Sequence, residues 1–230
     1  MNSLKGFWTK YIDPIDWLSE TIFSIMIALI FTLAYRIFSV SPAPGAANYS
    51  ESATTLLIAI LGAVIAWGVI DGSIYAILSF FEREESDRFL WEIREAKSEA
   101  EKVGIIQAEF GEVFEPITDE QHRDGLYLSI LRSIKSTPGQ KIRFSKADFG
   151  AAVAHVFVAV IAVIPSMIPL LFFSNNLVLA IRFSNIISFA VLFITGYRWG
   201  KYVGVNPFRT GMVIMAIAIL LALLAIPLGG

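Results

Sequence analysis

Residues 67–88, WGVIDGSIYAILSFFEREESDR, pass from an apolar run into solvated charge, and the apolar part carries an Asp-Gly pair. With the residues before it (TTLLIAILGAVIA), the run extends over 54–81. A helix crossing a hydrocarbon core of about 30 Å needs roughly 20 apolar residues at about 1.5 Å per residue. This segment qualifies, so Asp71 is a carboxyl inside a membrane-length helix. Such a group costs about 2.5–3.5 kcal/mol to insert and is normally retained for an ion path or a specific partner.

Four other segments are of the same kind: 21–40, 150–173, 177–197 and 210–228. The chain has 230 residues, 56% of them hydrophobic and 17% charged, and its mean hydropathy is +0.66. Of its 38 Asp, Glu, Lys and Arg residues, 25 fall between Glu82 and Lys146. The reading is an all-α membrane protein with five transmembrane helices and a cytoplasmic helical insert between helices 2 and 3. Residues 1–81 form an N-terminal arm and spans 1–2, 82–147 the insert, and 148–230 spans 3–5. Basic residues flank the spans at Lys5 and Lys10, throughout the insert, and at Arg198, Lys201 and Arg209. By the positive-inside rule the N-terminus and insert face the cytoplasm and the C-terminus faces out. Arg36 and Arg182 fall near outer helix ends, where long side chains snorkel to the interface.

The insert divides by charge. Residues 82–124 hold fourteen acids and six bases, and 125–147 five bases and no acid. Span 2 is expected to run straight into a helix through FLWEIREAKSEAEKV, on which Glu92, Glu95 and Glu99 share a face at i, i+3 and i+7. Such a face either collects hard divalent cations or is the solvated side of an amphipathic helix. A second insert helix is expected from the capping pattern TDEQ at Thr118, and SKAD at 145–148 marks entry into span 3.

Without cysteine the chain can form neither disulfides nor thiolate metal sites. The N-terminal twenty residues have no apolar region ending in a cleavage site, so span 1 is expected to stay in the mature protein. There is no G-x-S-x-G, H-E-x-x-H or Gly-rich phosphate loop, and the chain is read as no enzyme, with no tightly bound cofactor and no nucleic-acid partner.

Counted from the outer boundary, Asp71 lies roughly 26 Å down, in the inner third of the bilayer. Glu20 opens span 1, His155 sits early in span 3, and Met212 and Met215 lie in the first turns of span 5, all at a similar depth. Two carboxylates, an imidazole and thioethers at one level suit Fe²⁺ or Mn²⁺ better than an all-oxygen cage for Ca²⁺ or Mg²⁺. Each group also has a plain reading. Glu20 caps span 1, His155 hydrogen-bonds a neighbouring helix, and the methionines pack. Gly196, Gly200 and Gly204 at four-residue spacing let helices approach closely or dimerise. Pro165 and Pro169 are expected to kink span 3.

This layout resembles the vacuolar iron transporter family. The residues that carry the resemblance are DGSIYAILSFFEREESDR and the glycine-spaced run from Gly200 to Gly211. SETIF, AWGVIDG and PFRTG are similar to signatures of small bacterial membrane proteins loosely grouped with those transporters. The resemblance implies a homodimer in a bacterial cytoplasmic membrane that exports Fe²⁺ or Mn²⁺ in exchange for protons, with acidic and Met ligands along spans 1 and 2 and acids of the insert capturing metal. The expected metal residues are Asp71, Glu20, His155, Met212, Glu92, Glu95 and Glu99. The alternative is a non-transporting scaffold or regulator whose insert docks a partner and whose Asp71 is a hydrogen-bond hub.

Overall fold

A computed structural model of the chain describes residues 12–39, 49–135 and 143–228, and these form seven α-helices and no strand. In chain order they are α1 (Pro14–Ser39), α2 (Tyr49–Glu95), α3 (Glu99–Phe114), α4 (Glu120–Lys135), α5 (Lys146–Phe172), α6 (Leu177–Val203) and α7 (Pro207–Leu228). Among the described residues, four stretches are long and apolar enough to cross a membrane: Pro14–Tyr35, Ala53–Glu95, Lys146–Phe172 and Leu177–Val203. The described apolar stretch of α7, Pro207–Leu221, is shorter, so the described residues give four such helices rather than the expected five. The chain divides into two compact units, residues 1–76 with 146–230 and residues 77–145.

Helix ends follow local chemistry more closely than hydropathy. α1 begins at Pro14, well before residue 21, because the Asp13 side chain accepts a 2.9 Å hydrogen bond from the Ile15 N–H. Proline fits the first helical position, where its missing N–H has no helical partner in any case. α2 runs unbroken for 47 residues, as span 2 continuing into the insert requires. It stops at Glu95 because Ser98 caps a new helix. The Ser98 side chain accepts from the Glu101 N–H at 3.1 Å, and Glu101 in turn accepts from the Lys97 N–H at 2.8 Å. α4 starts later than TDEQ implies, and its capping oxygen belongs to Asp119 rather than Thr118, accepting from the His122 N–H at 3.0 Å. The expected break STPGQ at 136–140 lies outside the described residues.

In the larger unit the core joins Leu56, Ile60 and Val64 of α2 to Ala159, Val163 and Leu170 of α5 and Ala180 and Ile181 of α6. A second cluster joins Ile25 and Leu29 of α1 to Leu192 of α6 and Ala218 of α7. α5 is a single helix through Pro165 and Pro169. Hydroxyls bind it to α6: Ser184 donates to the Ser166 carbonyl at 2.6 Å and Ser188 to the Ser166 hydroxyl at 2.9 Å. Gly196 and Gly200 serve packing within the chain, because a Cβ on either would fall within 2.9 Å of atoms of α7. Gly204 instead ends α6 in the left-handed region at φ 79°, where glycine alone is unstrained.

The smaller unit has its own core of Ile93, Ile106, Tyr127, Leu131 and Ile134. Aromatic contacts link its helices, with Phe89 edge-on to Phe110 at 5.7 Å and Phe114 against Tyr127 at 6.1 Å.

Candidate metal centre

On α2, Trp67, Asp71 and Tyr75 recur every four residues and so share one face. Beside that face run Gly68 and Gly72, which let α2 press its backbone against α5. A Cβ on Gly72 would lie 2.5 Å from the Ala152 carbonyl oxygen, and one on Gly68 would lie 2.9 Å from the Val156 Cα. Contact that close is open only to glycine. It brings Asp71 to His155 of α5, whose Nδ1 is 2.8 Å from the Asp71 Oδ2. The Tyr75 ring lies against the imidazole with centroids 4.8 Å apart and planes at 38°.

Glu20 of α1 completes the group. Its Oε2 is 4.0 Å from His155 Nδ1, and Ser24, one turn on, donates to its Oε1 at 3.4 Å. Glu20, Asp71 and His155 each offer one ligand atom, and these three atoms all lie within 4.8 Å of one another. The Glu20 side chain is fully buried, that of His155 is 3% exposed and that of Asp71 32%.

Three buried polar atoms here have no hydrogen-bond partner among the described residues: Glu20 Oε2, His155 Nε2 and Trp67 Nε1. Leaving such groups unsatisfied costs about 1–3 kcal/mol each. Of the three, Glu20 Oε2 is the one that a cation held at His155 Nδ1 would satisfy, since the Trp67 N–H is a donor and Nε2 lies on the other side of the imidazole ring. First-row cations take carboxylate oxygen and imidazole nitrogen at about 2.0–2.2 Å, which keeps any two ligand atoms within about 4.4 Å. The 4.0 Å separation fits as it stands. The 2.8 Å hydrogen bond has only to open slightly, and the widest pair to close by a few tenths of an ångström. Two carboxylates and a neutral imidazole also balance the charge of one divalent cation, which removes the electrostatic objection to burying it.

The other expected ligands lie elsewhere. Met212, in the first turns of α7, is 42% exposed, so its thioether is on the helix surface rather than among the buried groups. Glu92 and Glu95 are exposed near the end of α2 in the smaller unit, and Arg88 pairs with Glu92 at 3.4 Å. The expected acidic face does not form, because Glu99 opens α3 beyond the Ser98 cap and does not continue the helix carrying Glu92 and Glu95. Arg182 is exposed, and the side chain of Arg36 lies outside the described residues. Sequence reasoning missed Ser24, Trp67 and Tyr75. The signal was available, since each is four residues from an acid already singled out.

No protein-family model matches the chain, and no curated protein matches it.

Proposed function

We propose that this protein carries divalent metal ions, Fe²⁺ or Mn²⁺, across a membrane, with Glu20, Asp71 and His155 as the ligands of its inner site. The observation that carries the reading is the convergence of three ligand atoms within 4.8 Å, inside helices of membrane length. In this reading the two carboxylates release the ion on one side and return with protons, so that exchange at the site is electroneutral. The resemblance to the vacuolar iron transporters supports the same cargo, a homodimer and a bacterial cytoplasmic membrane as home.

The five-span topology belongs to this proposal. α7 has 22 residues over its whole length, enough at about 1.5 Å each to cross a 30 Å core. At 47 residues α2 is about 70 Å long, more than twice that thickness, which supports an insert outside the bilayer. With five spans and the basic residues inside, the N-terminus and insert are cytoplasmic and the C-terminus is outside.

The 2.8 Å contact between Asp71 and His155 favours a second reading, in which the triad is a hydrogen-bonded brace in a scaffold or regulatory protein. Anaerobic titration of the purified protein with Fe²⁺ and Mn²⁺, wild type beside Asp71→Asn, separates the two. The transport reading expects saturable binding that the variant loses. No binding by the wild type removes that reading and leaves the brace, whose Asn variant should fold normally.

A further inference from the structure

Between α1, α5 and α6 runs a groove of about 270 Å³ that the metal reading leaves without a role. Its walls are Trp17 of α1, Val158 and Ala162 of α5, and Val191 and Thr195 of α6, with Arg198 at one end. On α6 the lining positions 191, 194, 195 and 198 share one face at i, i+3, i+4 and i+7, so the groove follows the helix axis and finishes at the guanidinium. Trp17 lies in the first turn of α1 and Arg198 near the last turn of α6. The charged end is therefore at the level of the helix ends and the apolar length points toward the middle of the bundle.

We propose that this groove binds one anionic phospholipid, with an acyl chain along the apolar wall and the phosphate on Arg198. Arg198 is the only charged residue lining the groove and forms no ion pair among the described residues. Lys201, one turn further along α6, is exposed and adds a second positive charge at the same end. An apolar trough that closes on unpaired positive charge is complementary to a lipid of net negative charge. A zwitterionic lipid offers the same tail but cancels its phosphate with its own ammonium. Basic sites between membrane helices select lipid headgroups in this way, and a Trp at the same level is at home among headgroups. The lipid seats against the helices that carry the metal ligands, since Thr21 follows Glu20 on α1 and Val158 is one turn from His155 on α5.

The test is native mass spectrometry of the full chain in detergent, offered equal amounts of phosphatidylglycerol and phosphatidylcholine. The wild type is expected to retain phosphatidylglycerol at least about fivefold over phosphatidylcholine, the ratio expected for one charge near a headgroup surface. Arg198→Gln should retain the two equally, and Ala162→Phe, which fills the groove and leaves the charge in place, should lose phosphatidylglycerol. Equal retention of both lipids by the wild type overturns the proposal without reference to any variant, as does undiminished preference in Arg198→Gln. Inorganic phosphate supplied alone is the remaining arm. If it raises the unfolding temperature as much as phosphatidylglycerol does, the ligand is a free anion and the lipid assignment fails.

Discussion

In the larger unit the carboxylate of Glu20 has none of its surface exposed and lies 4.0 Å from an imidazole nitrogen. In the unit of residues 77–145, Glu92 keeps 45% of its side chain exposed and pairs with Arg88, one turn away on the same helix. The smaller unit holds most of the chain's acids, yet an exposed i, i+4 pair contributes a few tenths of a kcal/mol and leaves its carboxylates hydrated. The larger unit has few, and Glu20 among them is fully buried, so it must be matched from within the protein. The number of acids in a unit therefore says little about how its carboxylates are held, and their burial says more.

The most direct attempt to break this contrast is to neutralise an acid in each unit. Glu20→Gln is expected to weaken Mn²⁺ affinity by at least about 100-fold, the upper end of what losing even an outer-sphere partner costs. Glu92→Gln combined with Glu95→Gln should stay within about twofold of wild type, since screened surface carboxylates contribute little. Isothermal titration of both proteins decides it, and comparable losses would end the distinction.

Alanine at a helical glycine should change stability in opposite directions in the two units. Gly72→Ala drives a methyl group into the Ala152 backbone and is expected to destabilise by about 1–3 kcal/mol while separating Asp71 from His155. A Cβ on Gly104, inside α3, meets nothing within 4 Å, so Gly104→Ala should stabilise the smaller unit by about 0.5–1 kcal/mol. Unfolding in detergent gives both values, and stabilisation by Gly72→Ala would mean that the α2–α5 seam is not the tight contact described.

The smallest effect concerns the α4 cap. The hydrogen bond from the His122 backbone N–H, reinforced by the His122 ring 2.6 Å away, holds the Asp119 carboxyl below its usual value. A carboxyl lowered in the folded state stabilises above its ordinary titration range and loses that stabilisation as pH falls through the lowered value. Amides in the first turn of α4 should therefore lose protection relative to their intrinsic exchange rate at acid pH, and Asp119→Asn should remove that dependence while keeping the cap.

Much of this architecture could be read from the sequence because apolar length and helical spacing are strong signals. Asp71, Glu20 and His155 were matched by counting depth along separate helices, which works because each rises by the same amount per residue. Depth carries no information about rotation around the helix axis. Met212 passed the depth test and still lies on the surface of α7. The Ser98 cap was hidden for another reason, since the apolar spacing continues across it and only hydrogen bonds to Glu101 and Lys97 mark the break. Trp67 and Tyr75 are each offset by four residues from Asp71, and that spacing was the one signal of their place beside it.

The seam at Gly68 and Gly72 has one more consequence. Where side chains separate two helices, their spacing can adjust as rotamers shift and methyl groups rearrange. Here backbone meets backbone at Ala152 and Val156, and the spacing has a hard minimum with little to deform. Asp71 is the immediate neighbour of one seam residue and His155 of another, so the helix backbones that carry them cannot be pressed closer together. The seam therefore sets a floor under the distance between the two helix backbones and leaves opening, rather than closing, as the direction in which this pair can adjust.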